Sequence, residues 1–187
     1  MNQQEVVLYV AISLDGYLAR EDGSVDWLDQ VEGDGGDNGY SEFYRTIGSL
    51  VMGRSTYEVV LQLSEEFLYA GKPVYVFTSG AEGITPNEHV VFTDESLEVV
   101  TERLKAVSEG DIWLVGGGKL VKGYLEADLI DRVELAVIPE VLGAGIPLFP
   151  KGVPGTKFRL TGIRQLGQIA MLSYRTIREN GEDTANR

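Results

Sequence analysis

Asp111-Ile112-Trp113-Leu114-Val115-Gly116-Gly117-Gly118-Lys119-Leu120 is the stretch on which the fold turns. Its first half is a short apolar run fit for a buried strand, and Lys119 to Ala127 is helical in character, so a strand passes through three glycines straight into a helix. Each glycine costs about 1 kcal/mol of backbone entropy inside regular structure. Three in a row therefore point either to close approach of the backbone to a ligand or to tight strand–helix packing. In an open α/β sheet, ligands bind beyond the carboxyl ends of the strands, which is where these glycines stand.

Val6 to Ile12 is a continuous apolar, β-branched run that fits a strand buried on both faces at the centre of a sheet. Tyr40 to Ile47 suits a short helix, and Ser49 to Met52 a buried strand that turns at Gly53 into a helix ending near Leu63. Lys72 to Phe77 and Val90 to Phe92 follow as strands. A helix capped by Asp94 or Ser96 then carries Leu97, Val100, Leu104 and Val107 at spacings of three and four. Val133, Leu135 and Val137 alternate as in a strand, and Lys157 to Arg164 with Ile169 to Ile177 read as a closing antiparallel hairpin around Gly167. The sum is one α/β domain over residues 1–180 with a mostly parallel sheet, followed by a polar tail at 181–187 expected to be disordered. Asp15 to Gly39, rich in Gly and Asp around Val25-Asp26-Trp27-Leu28, is expected to be a covering loop outside the core.

Composition narrows the function. A formal charge of -13 over 187 residues repels polyanions, which excludes nucleic acid and anionic membrane as partners. A small anionic cofactor needs only two or three local cations and backbone N–H groups. No apolar run nears the roughly 20 residues that span a bilayer, and the polar start lacks a signal-peptide layout, so a cytoplasmic location is expected. The chain has no cysteine and one histidine, His89, which removes disulfides, thiolate and histidine-rich metal sites, so no metal is expected; without a G-x-S-x-G elbow a Ser-His-Asp hydrolase has little support.

Three turns suit an anion site: Gly53-Arg54-Ser55-Thr56, Thr78-Ser79-Gly80 and Gly116-Gly117-Gly118-Lys119. The first brings a guanidinium and two hydroxyls to a helix start, although Ser and Thr there also serve as ordinary caps. Gly116 to Val121 does not fit the G-x-G-x-x-G fingerprint, and Leu120 stands where a P-loop needs Ser or Thr.

The ordered set Ala11-Ile12-Ser13-Leu14-Asp15-Gly16, Trp27, Met52 to Glu58 and Val115 to Gly118 resembles the dihydrofolate reductase superfamily over nearly the whole chain. Ser13 to Gly16 and Ile138 to Phe149 are similar to the reductase domain of riboflavin-biosynthesis enzymes and its stand-alone bacterial relatives, although Gly116 stands where those enzymes commonly carry a glutamate. The resemblance implies a three-layer α/β/α fold, a homodimer and an NADPH-dependent reductase. Its substrate would be a small heterocycle, a pteridine or a 5-amino-6-(5-phosphoribosylamino)uracil-like compound; a catalytically silent NADPH-binding protein of the same fold is the alternative. By carry-over, Ala11 and Leu18 meet the nicotinamide end, Gly53, Arg54, Ser55 and Thr56 the pyrophosphate and adenosine, and Thr78 and Ser79 the adenosine. Val115, Gly116, Gly117, Gly118 and Leu120 meet the pyrophosphate, with a cis peptide between two glycines, and Lys119 stands near the 2′-phosphate. Asp15 and Trp27 would touch substrate, and Asp37 or Glu42 would supply the catalytic carboxylate.

Overall fold

The computed structural model describes residues 4–69, 71–80 and 88–178. Eight strands form the main sheet: β1 (Val6–Ser13), β3 (Ile47–Gly53), β4 (Val74–Phe77), β5 (Val90–Thr93), β6 (Asp111–Gly116), β7 (Arg132–Ile138), β9 (Phe158–Leu166) and β10 (Ile169–Thr176). Their order is β5-β4-β3-β6-β1-β7-β10-β9. The first six are parallel, and the β9–β10 hairpin adds to β7 in antiparallel sense. β2 (Tyr17–Ala19) and β8 (Ile146–Pro147) pair separately beside the sheet.

β1 is central, as its unbroken apolar run requires: Val6, Val7 and Leu8 are sealed from solvent between β6 and β7. Helices α1 (Tyr40–Thr46) and α2 (Arg54–Leu63) cover one face, and α3 (Leu97–Val107) and α4 (Gly118–Glu126) the other. Alternation within the strands assigns the faces. Val6, Leu8, Val10 and Ile12 of β1 pack with Val100, Leu104, Val121 and Tyr124, while Leu50 and Met52 of β3 pack with Tyr57, Val60 and Trp113. These are the three α/β/α layers.

Several sequence expectations need correction. Ser96 caps α3 by accepting from the Val99 amide; Asp94 takes no part, and Val107 points to solvent, so the inward face of α3 is Leu97, Val100, Thr101 and Leu104. The segment from Asp15 to Gly39 does enter the core: Trp27, 1% exposed, packs with Ile138 and Ile169. An indole of this size buries enough apolar area to fix an otherwise polar loop. No peptide bond among the described residues is cis; the glycine turn is made instead by positive φ at Gly116 (134°) and Gly117 (74°). The polar tail lies outside the described residues.

Candidate functional site

The three suspected turns lie side by side, because β4, β3 and β6 are neighbours running the same way. Their carboxyl ends, with that of β1 next to β6, form one edge of the sheet. Parallel neighbours of a sheet must bring successive strand-to-helix turns to the same edge, and this order places Gly53-Arg54 between Thr78 on one side and Gly116 on the other.

At the first turn Gly53 has open space around its Cα, so nothing in the protein fills the position a side chain would take. Arg54 donates to Glu58 one helical turn on (2.8 Å) and to the Gly80 carbonyl (3.4 Å), which holds the guanidinium toward the 78–80 turn. Thr78 closes that turn by donating to the Gly80 carbonyl at 2.9 Å. Beside it lies a cleft of about 480 Å³ lined by Phe77, Thr78, Ser79, Thr93, Asp94 and Glu95. Glu95 is paired with both terminal nitrogens of Arg103 at 2.7 and 2.8 Å, which holds its carboxyl below the usual carboxylate range and offsets its charge at the mouth of the cleft.

The glycines divide in role. Gly116 and Gly117 adopt backbone conformations that L side chains rarely take, and a Cβ on Gly117 would stand 3.1 Å from the Thr56 hydroxyl, so the first and third turns meet there. Gly118 is different. Its Cβ would lie 2.5 Å from the Pro147 carbonyl, so this glycine is required by packing of α4 against the 147–150 segment. Lys119 is exposed on the first turn of α4, while Val115 and Leu120 turn their side chains into the cores on the α1/α2 and α3/α4 faces respectively.

The other expected residues scatter more widely. Ala11 packs beside the Trp27 cluster, and Leu18 against the core under α3 and α4. Asp15 accepts from the Ser13 hydroxyl (2.6 Å) and the Gly143 and Leu142 amides (2.7 and 3.1 Å), tying the loop after β1 to the 142–143 turn. Trp27 presents no exposed face, and its indole N–H is buried without a protein partner among the described residues. Asp37 accepts from the Ser41 and Gly39 amides at 2.8 and 3.0 Å. Hydrogen bonding from Ser41 and then Gly39 holds its carboxyl below the usual value and ties the loop to the first turn of α1. Glu42 is exposed on α1.

Four residues that were not singled out in the sequence face the same side. The Tyr9 ring stacks on Phe43 of α1 at 4.0 Å, Glu134 lies opposite Tyr9 in the β1–β7 register, and Ser173 donates to Glu134 at 2.5 Å. Arg164 of β9 reaches over to Gly39. Burial pushes the Tyr9 hydroxyl up, partly offset by the Arg164 charge, with Glu134 and Asp37 also in electrostatic range. Tyr9 and Glu134 left a signal, as polar positions on one side of apolar strands; Arg164 left none, since its reach depends on where the hairpin docks.

The strand order, the three layers and the row of glycine and hydroxyl turns define a protein of the dihydrofolate reductase-like fold. Residues 4–172 match the RibD C-terminal domain family, and the chain belongs to that family. It is 48% identical to the uncharacterized Bacillus subtilis protein YwjB over 172 residues, 92% of this chain and 98% of that one. Its structure is similar to that of a Shewanella sp. PV-4 protein assigned to riboflavin biosynthesis, with a TM-score of 0.81 and 28% identity over 93% of this chain and 99% of the other. The fold is also that of Enterococcus faecalis dihydrofolate reductase complexed with NADP(H), with a TM-score of 0.60 and 16% identity over 93% and 97% of the two chains. No helix among the described residues is long and apolar enough to cross a membrane.

Proposed function

We propose that the protein is an NADPH-dependent reductase of a small heterocycle. The observation that carries this reading is the single edge on which Thr78, Gly53-Arg54 and Gly116-Gly117 stand in order. A dinucleotide laid along that edge would have its adenosine half in the cleft by Thr78 and Ser79, with Arg54 at its phosphates. Its pyrophosphate would cross Ser55, Thr56, Gly116 and Gly117, Lys119 on the first turn of α4 would stand near the 2′-phosphate, and its nicotinamide would lie near Ala11 and Leu18. The residues present fit such a group. Gly53 leaves open space, and the Gly117–Thr56 approach leaves a cradle that a side chain would obstruct.

When bound, NADPH supplies the hydride; the chain's own part is positioning and exclusion of water. The Trp27 segment, pinned over the ends of β1 and β7 and braced by the Arg20–Asp26 ion pair (2.8 Å), covers the side on which Ala11 lies. Asp37 and Glu42 remain the proposed carboxylates on the substrate side. The second reading, a silent cofactor-binding protein, draws on the hydrogen bonds to Asp37 from Ser41 and Gly39, which favour its ionised form and leave it a poor proton donor at neutral pH.

Titration of the purified protein with NADPH and, separately, NADH, followed by nicotinamide fluorescence, tests the reading. Binding of NADPH at least about tenfold tighter than NADH, a difference of about 1.4 kcal/mol, is expected from cations aimed at a 2′-phosphate. Binding of neither would overturn it.

A further inference from the structure

The adenosine end of the proposed site has a chemistry of its own, because a dinucleotide carries there either free ribose hydroxyls or a 2′-phosphate. In a dinucleotide site a carboxylate beside the ribose accepts from the hydroxyl, whereas a cation accommodates the phosphate. The choice between them rests on the charges that line the cleft by Thr78 and Ser79.

Two carboxylates line it, Asp94 and Glu95, and the chain after β5 treats them differently. The Thr78 amide donates to the Thr93 carbonyl at 2.9 Å, which draws the ends of β4 and β5 together as a floor. Buried Thr93 then turns the chain back: its hydroxyl accepts from the Glu95 amide at 3.1 Å and donates to the Glu95 carboxylate at 3.4 Å. Glu95 is thereby presented to α3, where Arg103 donates to both of its oxygens. Asp94 is left at the apex of the turn. It is exposed, and it makes no hydrogen bond or ion pair among the described residues. Asp94 also lines a smaller adjoining hollow of about 170 Å³, together with Thr78, Gly80, Phe92 and Thr93. The Gly80 carbonyl there accepts from Arg54 at 3.4 Å, so a cation and an uncompensated carboxylate flank one space.

We propose that Asp94 is a specificity-determining residue of the cofactor site: its carboxylate accepts from the ribose hydroxyls of the adenosine half and opposes a phosphate ester at the 2′ position. Arg54 and Lys119 favour the phosphorylated cofactor, Asp94 works against them, and the preference for NADPH is the balance. The pairing of Glu95 with Arg103 keeps a second negative charge from tipping that balance. The inference rests on the reductase reading for the seat of the adenosine half, and the test separates the two.

Asp94→Asn removes the charge from an exposed side chain and leaves the core untouched. The full chain and the variant are titrated calorimetrically with adenosine 2′,5′-bisphosphate and adenosine 5′-monophosphate, which differ only in the 2′-phosphate, and by fluorescence with NADPH and NADH. In Asp94→Asn the preference for the 2′-phosphorylated member of each pair is expected to rise about three- to tenfold, a gain that shrinks as salt is raised. Arg103→Gln, which leaves Glu95 unpaired, is expected to lower that preference. Glu109→Gln removes one charge between α3 and β6, at the opposite edge of the sheet, and should move neither ratio. An unchanged ratio in Asp94→Asn would overturn the inference alone, as would an equal rise in Glu109→Gln or any rise in Arg103→Gln. A changed ratio for the two fragments with no dinucleotide bound would sink the reductase reading and keep Asp94 in its role at a nucleotide site. Binding of neither fragment nor dinucleotide would overturn both.

Discussion

Gly117 and Gly118 are adjacent and chemically identical, yet alanine should fail at them for different reasons. At Gly118 the added Cβ meets the Pro147 carbonyl at 2.5 Å, backbone that cannot step aside, so Gly118→Ala strains the seating of α4 whatever the ligand. At Gly117 the only close neighbour among the described residues is the Thr56 hydroxyl, the end of a side chain, and the strain comes from φ 74° and ψ 132°. A non-glycine residue in such a region costs about 1–3 kcal/mol. Gly117→Ala is therefore expected to keep the fold with a melting temperature lowered by a few degrees, while NADPH affinity falls more than tenfold because the Cβ occupies the cradle. Unchanged affinity by fluorescence titration would remove Gly117 from the site.

At the scale of elements, the loop after β1 is held by one carboxylate. Asp15 bridges from β1 to the 142–143 turn, next to the small β2–β8 pair that is itself only two or three residues a strand. The Ser13 hydroxyl first, then the Gly143 and Leu142 amides, hold its carboxyl below the usual 3.8. Such a group contributes stability that is present above the unfolded value and is lost as pH falls through the lowered folded one. Asp15→Asn should raise hydrogen exchange at the Leu142 and Gly143 amides at neutral pH and leave β1 and β6 protected, and the wild type should show the same local opening only below pH 3.8. Equal protection in the variant would show that β2–β8 alone holds the loop. These elements were also where the sequence was hardest to read. Strands and helices with steady periodicity, β1, α2 and the hairpin, were legible within a residue or two, since burial and period coincide there. Trp27 was not: a lone aromatic among glycines and aspartates gives no period, and its burial depends on Ile138 and Ile169, more than a hundred residues away. That the three strand-end turns share one edge of the sheet was legible because glycine and hydroxyl residues sit directly after apolar strand runs. Asp37, read as a catalytic candidate, also accepts from the Ser41 amide at the start of α1, since a carboxylate before a helix can serve either purpose.

For the molecule as a whole, the aromatic core is the feature with the largest titration consequence. Tyr69 packs against Tyr44, Phe67 and Trp113 on the α1/α2 face, and Tyr124 is sealed under α4, where it accepts from the Thr101 hydroxyl at 3.1 Å. Burial pushes both phenols from 10 up to about 12. A group raised in the folded state favours folding fully below its unfolded value and loses that contribution as pH climbs through the folded one. Two shifts of this size amount to about 5 kcal/mol between pH 10 and 12, against a total stability of about 5–15 kcal/mol for a domain of this kind. The two layers of helix should then fail together: loss of circular dichroism and the rise of phenolate absorbance from these two tyrosines are expected to coincide in one transition above pH 10. Replacing Tyr124 by Phe should move that transition to higher pH, at the expense of stability near neutrality from the unpaired Thr101 hydroxyl. Smooth phenolate titration well ahead of unfolding would mean that water reaches these rings in the native state, and that the packing described for them does not hold in solution.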